Sequence, residues 1–155
     1  MWFSRKQTAP PTAVDVAGPG QGRAETALPQ PTTKSRGDAA ESAARRFLAR
    51  AGLTFIEANF KTPGRGGGEI DLVMRAPDGT LVFVEVRQRA SASHGGAAAS
   101  IGRSKQQRII FAARHYLMRF GRTPPCRFDV VLVHGAGEPG REATLEWLPA
   151  AFDAS

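Results

Sequence analysis

Two carboxylates stand where a soluble sheet seldom puts them. Asp71 falls inside Gly68-Glu69-Ile70-Asp71-Leu72-Val73-Met74-Arg75, and Glu85 inside Thr80-Leu81-Val82-Phe83-Val84-Glu85-Val86-Arg87-Gln88-Arg89. Both runs are rich in β-forming residues, and acids are rarely buried among them without a partner. Between them, Ala76-Pro77-Asp78-Gly79 is a strong turn signal, so the stretch reads as a hairpin. Side chains alternate along a strand with period two. If the loop is Pro77-Asp78-Gly79, a type I turn closed by a glycine bulge, Ala76 pairs with Thr80. Asp71 then lies opposite Glu85, and Glu69 opposite Arg87. Directly opposed side chains have Cβ atoms about 4.5–5.5 Å apart, and like charges there repel. A divalent cation between the carboxylates turns that repulsion into a site. A two-residue Asp78-Gly79 loop would put the two acids on opposite faces. The site therefore requires an odd-length loop.

These residues carry a resemblance. Asp71, a spacing of fourteen and then Glu85-Val86-Arg87 is similar to the PD-(D/E)xK nuclease signature. Gly68-Glu69-Ile70-Asp71-Leu72-Val73 with Phe83-Val84-Glu85-Val86-Arg87-Gln88-Arg89 resembles, more closely, the YraN-like family of small bacterial proteins with a restriction-endonuclease-like fold. The resemblance runs from about Gly37 to about His134. It implies an α/β fold with an αβββαβ core, a mixed sheet flanked by helices. It also implies a metal-dependent nuclease acting on DNA, with branched or junction DNA as the substrate guess. Asp71 and Glu85 would hold Mg²⁺ or Mn²⁺, helped by the Val86 carbonyl, and Glu69 and Glu41 would complete the shell directly or through water. Arg87 would stabilise charge on the phosphate, and Gln88 would position a water or a phosphate. The family usually has Lys where this chain has Arg87. That departure keeps a rival reading open, a nucleic-acid-binding module without catalysis. A third reading is a scaffold whose acids are balanced by arginines, such as Glu69 by Arg87.

Charge supports a polyanionic partner. The chain has 155 residues, a formal charge of +7 and a pI near 10.7. From Val86 to Phe128 there are nine Arg or Lys and no acid. A basic block beside a carboxylate cluster suits nucleic acid held over a metal. Arg89, Arg103, Lys105 and Arg108 are the candidate phosphate contacts. Three of them open the second helix, where positive charge opposes the helix dipole and costs stability unless an anion is bound there.

Cys126 is the single cysteine, which excludes a disulfide framework and fits a reducing cytoplasmic setting. No apolar run approaches the ~18 residues of a membrane span. The first residues lead into polar sequence and not into a signal-peptide core. A homodimer is compatible with one domain of this size.

The elements follow from periodicity. Residues 1–36, rich in Pro, Gly and Ala, read as a disordered basic tail ahead of a domain over 37–155. Asp38 to Ala51 reads as a helix with an apolar stripe through Ala40, Ala44, Phe47, Leu48 and Ala51. Glu41 has two readings there, a capping box with Asp38 or an acid near the metal. Arg45 and Arg46 fall on the solvent side. Leu53 to Phe60 reads as a strand, followed by a mobile glycine-rich loop from Lys61 to Gly68. That loop does not match a Walker phosphate loop, since no Gly-Lys-Ser/Thr follows. Ala90 to Gly102 reads as a small polar loop over the substrate, with His94 most simply neither base nor ligand. Arg103 to Gly121 is the second helix. The nearly continuous apolar run Arg127 to His134 suits a strand buried on both faces and parallel to a neighbour. Asp129 reads as a polar contact at a strand end. A short last strand spans Leu145 to Leu148.

Overall fold

A computed structural model describes residues 29–89 and 101–154. The expectations for most of the tail and for His94 and its loop lie outside these residues. From Pro31 onward the chain gathers into one compact unit. Its elements are α1 (Thr33–Arg50), β1 (Thr54–Lys61), β2 (Glu69–Arg75), β3 (Leu81–Arg89), α2 (Arg103–Leu117), β4 (Cys126–His134) and β5 (Thr144–Phe152). The strands form one sheet in the order β1-β2-β3-β4-β5. β3 and β4 are parallel and the other neighbours antiparallel, so the sheet is mixed and the fold α/β.

The helices cover opposite faces, and strand alternation explains how. Leu72, Met74, Val82, Val84, Val131 and Val133 turn to one face and pack on Ala44 and Leu48 of α1. Val73, Leu81, Phe83, Val130 and Leu132 turn to the other and pack on Ile109 and Tyr116 of α2. β4 is therefore apolar at nearly every position, as a doubly covered strand must be.

The β2–β3 hairpin has the expected odd loop. The Ala76 N–H donates to the Thr80 carbonyl at 2.9 Å, and Gly79 sits at φ +89°. Leu72 pairs with Val84 and Arg75 with Leu81, which turns Glu85 to the α2 face and leaves Asp71 just beyond the last rung.

Three boundaries differ from the expectation. α1 begins at Thr33 and not Asp38, because Thr32 caps it: its Oγ1 accepts the Ser35 N–H at 3.1 Å. Gly37 lies within the helix. Asp38 and Glu41 are thus mid-helix, and the capping-box reading of Glu41 falls. α2 ends at Leu117, and its last residues to Phe120 close as tight i→i+3 turns. β5 is longer than expected and reaches Phe152.

The glycine-rich loop is a built joint. Thr62 is buried, accepts the Gly68 N–H at 2.8 Å on its Oγ1, and donates its own N–H to the Gly68 carbonyl at 3.1 Å. A Cβ on Gly68 would run into the Arg108 carbonyl oxygen. Glycine is therefore required for close approach to the α2 backbone.

Candidate metal-binding carboxyl pair

The ladder between β2 and β3 stops at Leu72–Val84, and a side chain continues it. The Asp71 Oδ2 accepts the Val86 N–H at 2.8 Å. That bond locks the half-buried Asp71 beside Glu85, which is only 7% exposed. Burial pushes both carboxyls up; the Asp71 charge raises Glu85 further, while hydrogen bonds from the Val86 N–H and from Glu85 work to lower Asp71. The Glu85 value rises to about 8, from burial first and then from the Asp71 charge. The Val86 N–H favours the anion on Asp71, so near neutrality the pair shares a proton that resides on Glu85.

Lys105, from the first turn of α2, reaches in from the helix side. Its Nζ is 3.4 Å from the Glu85 Oε1. The Glu85 Oε2 is buried, and the proton on Glu85 gives the two carboxyls a side-chain hydrogen bond to each other.

Around the pair the expected acids take other places. Glu69 lies opposite Lys61 of β1, with 4.0 Å between its Oε1 and the Lys61 Nζ. Glu41, on α1, is raised by burial and by the Asp71 charge, and is held by a hydrogen bond with Asn59. Among the described residues no three His, Cys, Asp or Glu converge as metal ligands. Glu41 and Glu69 lie within electrostatic reach of Asp71 without converging on it as a third ligand among the described residues, and Glu69 pairs with Lys61 of β1.

Asn59 is the site residue that sequence reasoning missed. Ala58 pairs with Leu72 and Phe60 with Ile70, which sets Asn59 at the level of Asp71. It adopts φ +54°, rare outside glycine and best tolerated by Asn and Asp. A lone Asn inside an otherwise good strand was the available signal.

Arg87 follows Glu85 on the same face and is half-buried. Gln88 turns to the other face, with its Nε2 3.6 Å from the point where a Cβ on Gly37 would lie. Parity carries Gln88 to the α1 side, away from the carboxyl pair. Arg89 lines a small cavity of about 220 Å³ with Arg36 and Gln88, apart from the α2 basic residues. Lys105 and Arg108 line a cleft of about 280 Å³ with Lys61 and the glycine loop. Arg103 opens α2 and is exposed.

Asp129 has another task. It is fully buried, accepts from the Arg127 Nε at 3.1 Å and the Trp147 Nε1 at 2.9 Å, and takes the Ala150 N–H at 2.9 Å. It holds an irregular stretch of β5 in which Ala150 is at φ +50°.

The donor set fits a hard divalent cation. Mg²⁺ is commonly held by one or two carboxylates, with waters and substrate phosphate in its other positions. Asp71 and Glu85 would supply the two. Residues 40–133 match the family described as uncharacterised protein family UPF0102. The chain belongs to UPF0102. A UPF0102 protein of Polaromonas naphthalenivorans strain CJ2 is 72% identical across the whole of both chains. Further UPF0102 proteins, from Acidovorax sp. strain JS42 and Cupriavidus taiwanensis, are 54% and 56% identical over 82% and 81% of this chain, and over 91% and 88% of their own. The UPF0102 match spans α1 through β4 and so contains both carboxyls and Lys105. No described helix is long and apolar enough to cross a membrane.

Proposed function

We propose that this UPF0102 protein is a metal-dependent phosphodiesterase of the PD-(D/E)xK type that binds and cuts DNA, branched or junction DNA by preference, in the cytoplasm. The observation that carries the reading is the carboxyl pair itself, half-buried Asp71 beside buried Glu85, with the Val86 N–H held on Asp71. Such a pair is costly in an empty scaffold and useful in a cation site.

Asp71 and Glu85 would hold Mg²⁺ or Mn²⁺. When bound, the ion supplies Lewis acidity and a water of lowered pKa. Asp71 is oriented for this by the Val86 N–H, and Glu85 gives up its proton on loading. Arg87 keeps a permanent charge and a planar fork that matches a phosphate, and it cannot serve as a base. Lys105, already beside Glu85, faces the cleft of Arg108 and Lys61 and can bring a phosphate to the pair. Glu41, hydrogen-bonded with Asn59, adds a further acid within reach of the Asp71 charge.

One observation favours the rival reading of a binding module without catalysis. Lys105 stands at the Glu85 carboxylate, so a fixed ammonium can neutralise the pair without a metal. A Mn²⁺ titration read by melting temperature separates the two. Wild type should gain stability saturably, and Asp71→Asn should not. Equal responses from both proteins would remove the metal site, and with it the nuclease reading. Cleavage is then assayed with Mn²⁺ on linear, flap and four-way DNA.

A further inference from the structure

On the α1 side of the sheet, α1 and the turn between β4 and β5 enclose a cavity of about 710 Å³. It is larger than the cleft beside the carboxyl pair and lies on the other face of the fold. Arg46 and Arg50 line it from one turn of α1 to the next, and Arg141 faces them from the β4–β5 turn. Phe47 and Leu145 give it an apolar lining, Ser42 adds a hydroxyl, and Glu142 is the one acid on its wall against three arginines.

The arrangement works against the fold. Like charges four apart on a helix repel. A third arginine converges on the same concavity, and a concave wall concentrates the positive potential. Among the described residues Arg46 and Arg50 form no ion pair, whereas Arg141 is held by Glu138 at 3.2 Å. The neighbouring Arg45 shows what a neutral use of such a residue looks like, since its guanidinium stacks 3.4 Å over the Phe55 ring. Guanidinium forks match phosphate oxygens two at a time, and an aromatic ring beside them offers a face to a base. The volume suits a small-molecule ligand, whose sites span roughly 300–1,000 Å³.

We propose that this groove is a second anion site, which takes a nucleotide with its phosphate on Arg46, Arg50 and Arg141 and its base against Phe47. The nucleotide is either free or the phosphorylated end of a strand. The inference does not depend on the nuclease reading, because no residue of the carboxyl pair enters it.

The test is calorimetric titration of the full chain with three probes: pyrophosphate, ADP and a 5′-phosphorylated single-stranded decamer. ADP or the decamer should bind saturably, and Arg46→Gln and Arg50→Gln should each weaken binding about tenfold, the worth of one charge-assisted contact. Phe47→Leu should weaken ADP and leave pyrophosphate nearly unchanged. Arg122→Gln, at an exposed position after α2 and outside both sites, should bind as wild type does. ADP binding as tightly as the decamer identifies a free nucleotide, and binding of the decamer alone identifies a strand end; both support the site. Binding that survives Arg46→Gln but fails in Lys105→Ala overturns it, since the phosphate then sits in the glycine-loop cleft. No saturable binding by any probe overturns it as well.

Discussion

At the scale of single residues, the chain's arithmetic is dominated by one buried proton. The Glu85 carboxyl in the folded protein sits at about 8, above its ordinary 4.5. The folded state therefore binds more protons than the unfolded state between those values. That contribution to stability is complete below the unfolded value and is lost as pH rises through about 8. The metal-free protein should melt at a lower temperature at pH 9 than at pH 6, and Glu85→Gln should flatten the trend. Mn²⁺ should raise the melting temperature more at pH 9, where no proton has to be displaced; an equal rise at both values would mean that Glu85 is not a ligand. Arg87 gives a second residue-level expectation. Arg87→Lys should keep any cleavage activity, while Arg87→Ala should lose about 2–4 kcal/mol of transition-state stabilisation, as removal of one such donor typically does. Undiminished cutting by Arg87→Ala would refute that role. The parity of Asp71, Glu85 and Arg87 could be read from residue types, because a Pro-Asp-Gly turn fixes register within one hairpin. The place of Glu69 could not, since it turns on which neighbouring strand is closer. Asn59 could not either, because a positive φ in a strand leaves only a faint compositional trace.

At the scale of elements, the joints set the geometry. Gly68 lets its loop rest on the α2 backbone, and that contact carries Lys105 to Glu85. Gly68→Ala should cost stability by about 1–3 kcal/mol, as overpacking does. It should also weaken Mn²⁺ and DNA binding together, seen in parallel melting and binding curves. Asp129 is the second joint. Asp129→Ala strands Arg127 and frees the Trp147 and Ala150 donors. A loss of about 3–5 kcal/mol is expected, typical of breaking a buried charged network from one side. Metal binding should be untouched in whatever fraction remains folded. Strands and helices were legible wherever periodicity was strong, as in β3, α2 and β4. The start of α1 was not, because Gly37 resembles a stop and Thr32 gives its cap through a single hydroxyl.

At the scale of the whole domain, α2 carries four of the nine basic residues in the acid-free run from Val86 to Phe128. Removing one cation that neutralises a phosphate should lower the slope of log affinity against log salt by about 0.9 on duplex DNA. Lys105→Ala and Arg108→Ala are the variants to measure, and an unchanged affinity and slope in both would take α2 off the binding surface. The one parallel pair also governs how the chain finds its shape. Each of its nine rungs, from Leu81–Cys126 to Arg89–His134, joins residues widely separated in sequence. The β1-β2-β3 meander needs only local closures, so it can assemble early and bring Asp71 to Glu85 while both still face water. The β3–β4 pairing must wait for the long crossover to close, and it is this late step that shuts the carboxyls in. Folding speed should follow that closure. Val131→Ala in β4 should slow refolding, whereas Leu145→Ala on the edge strand should mainly speed unfolding. A divalent ion present during refolding would then meet the pair at its most accessible moment, before burial has raised the cost of charging it.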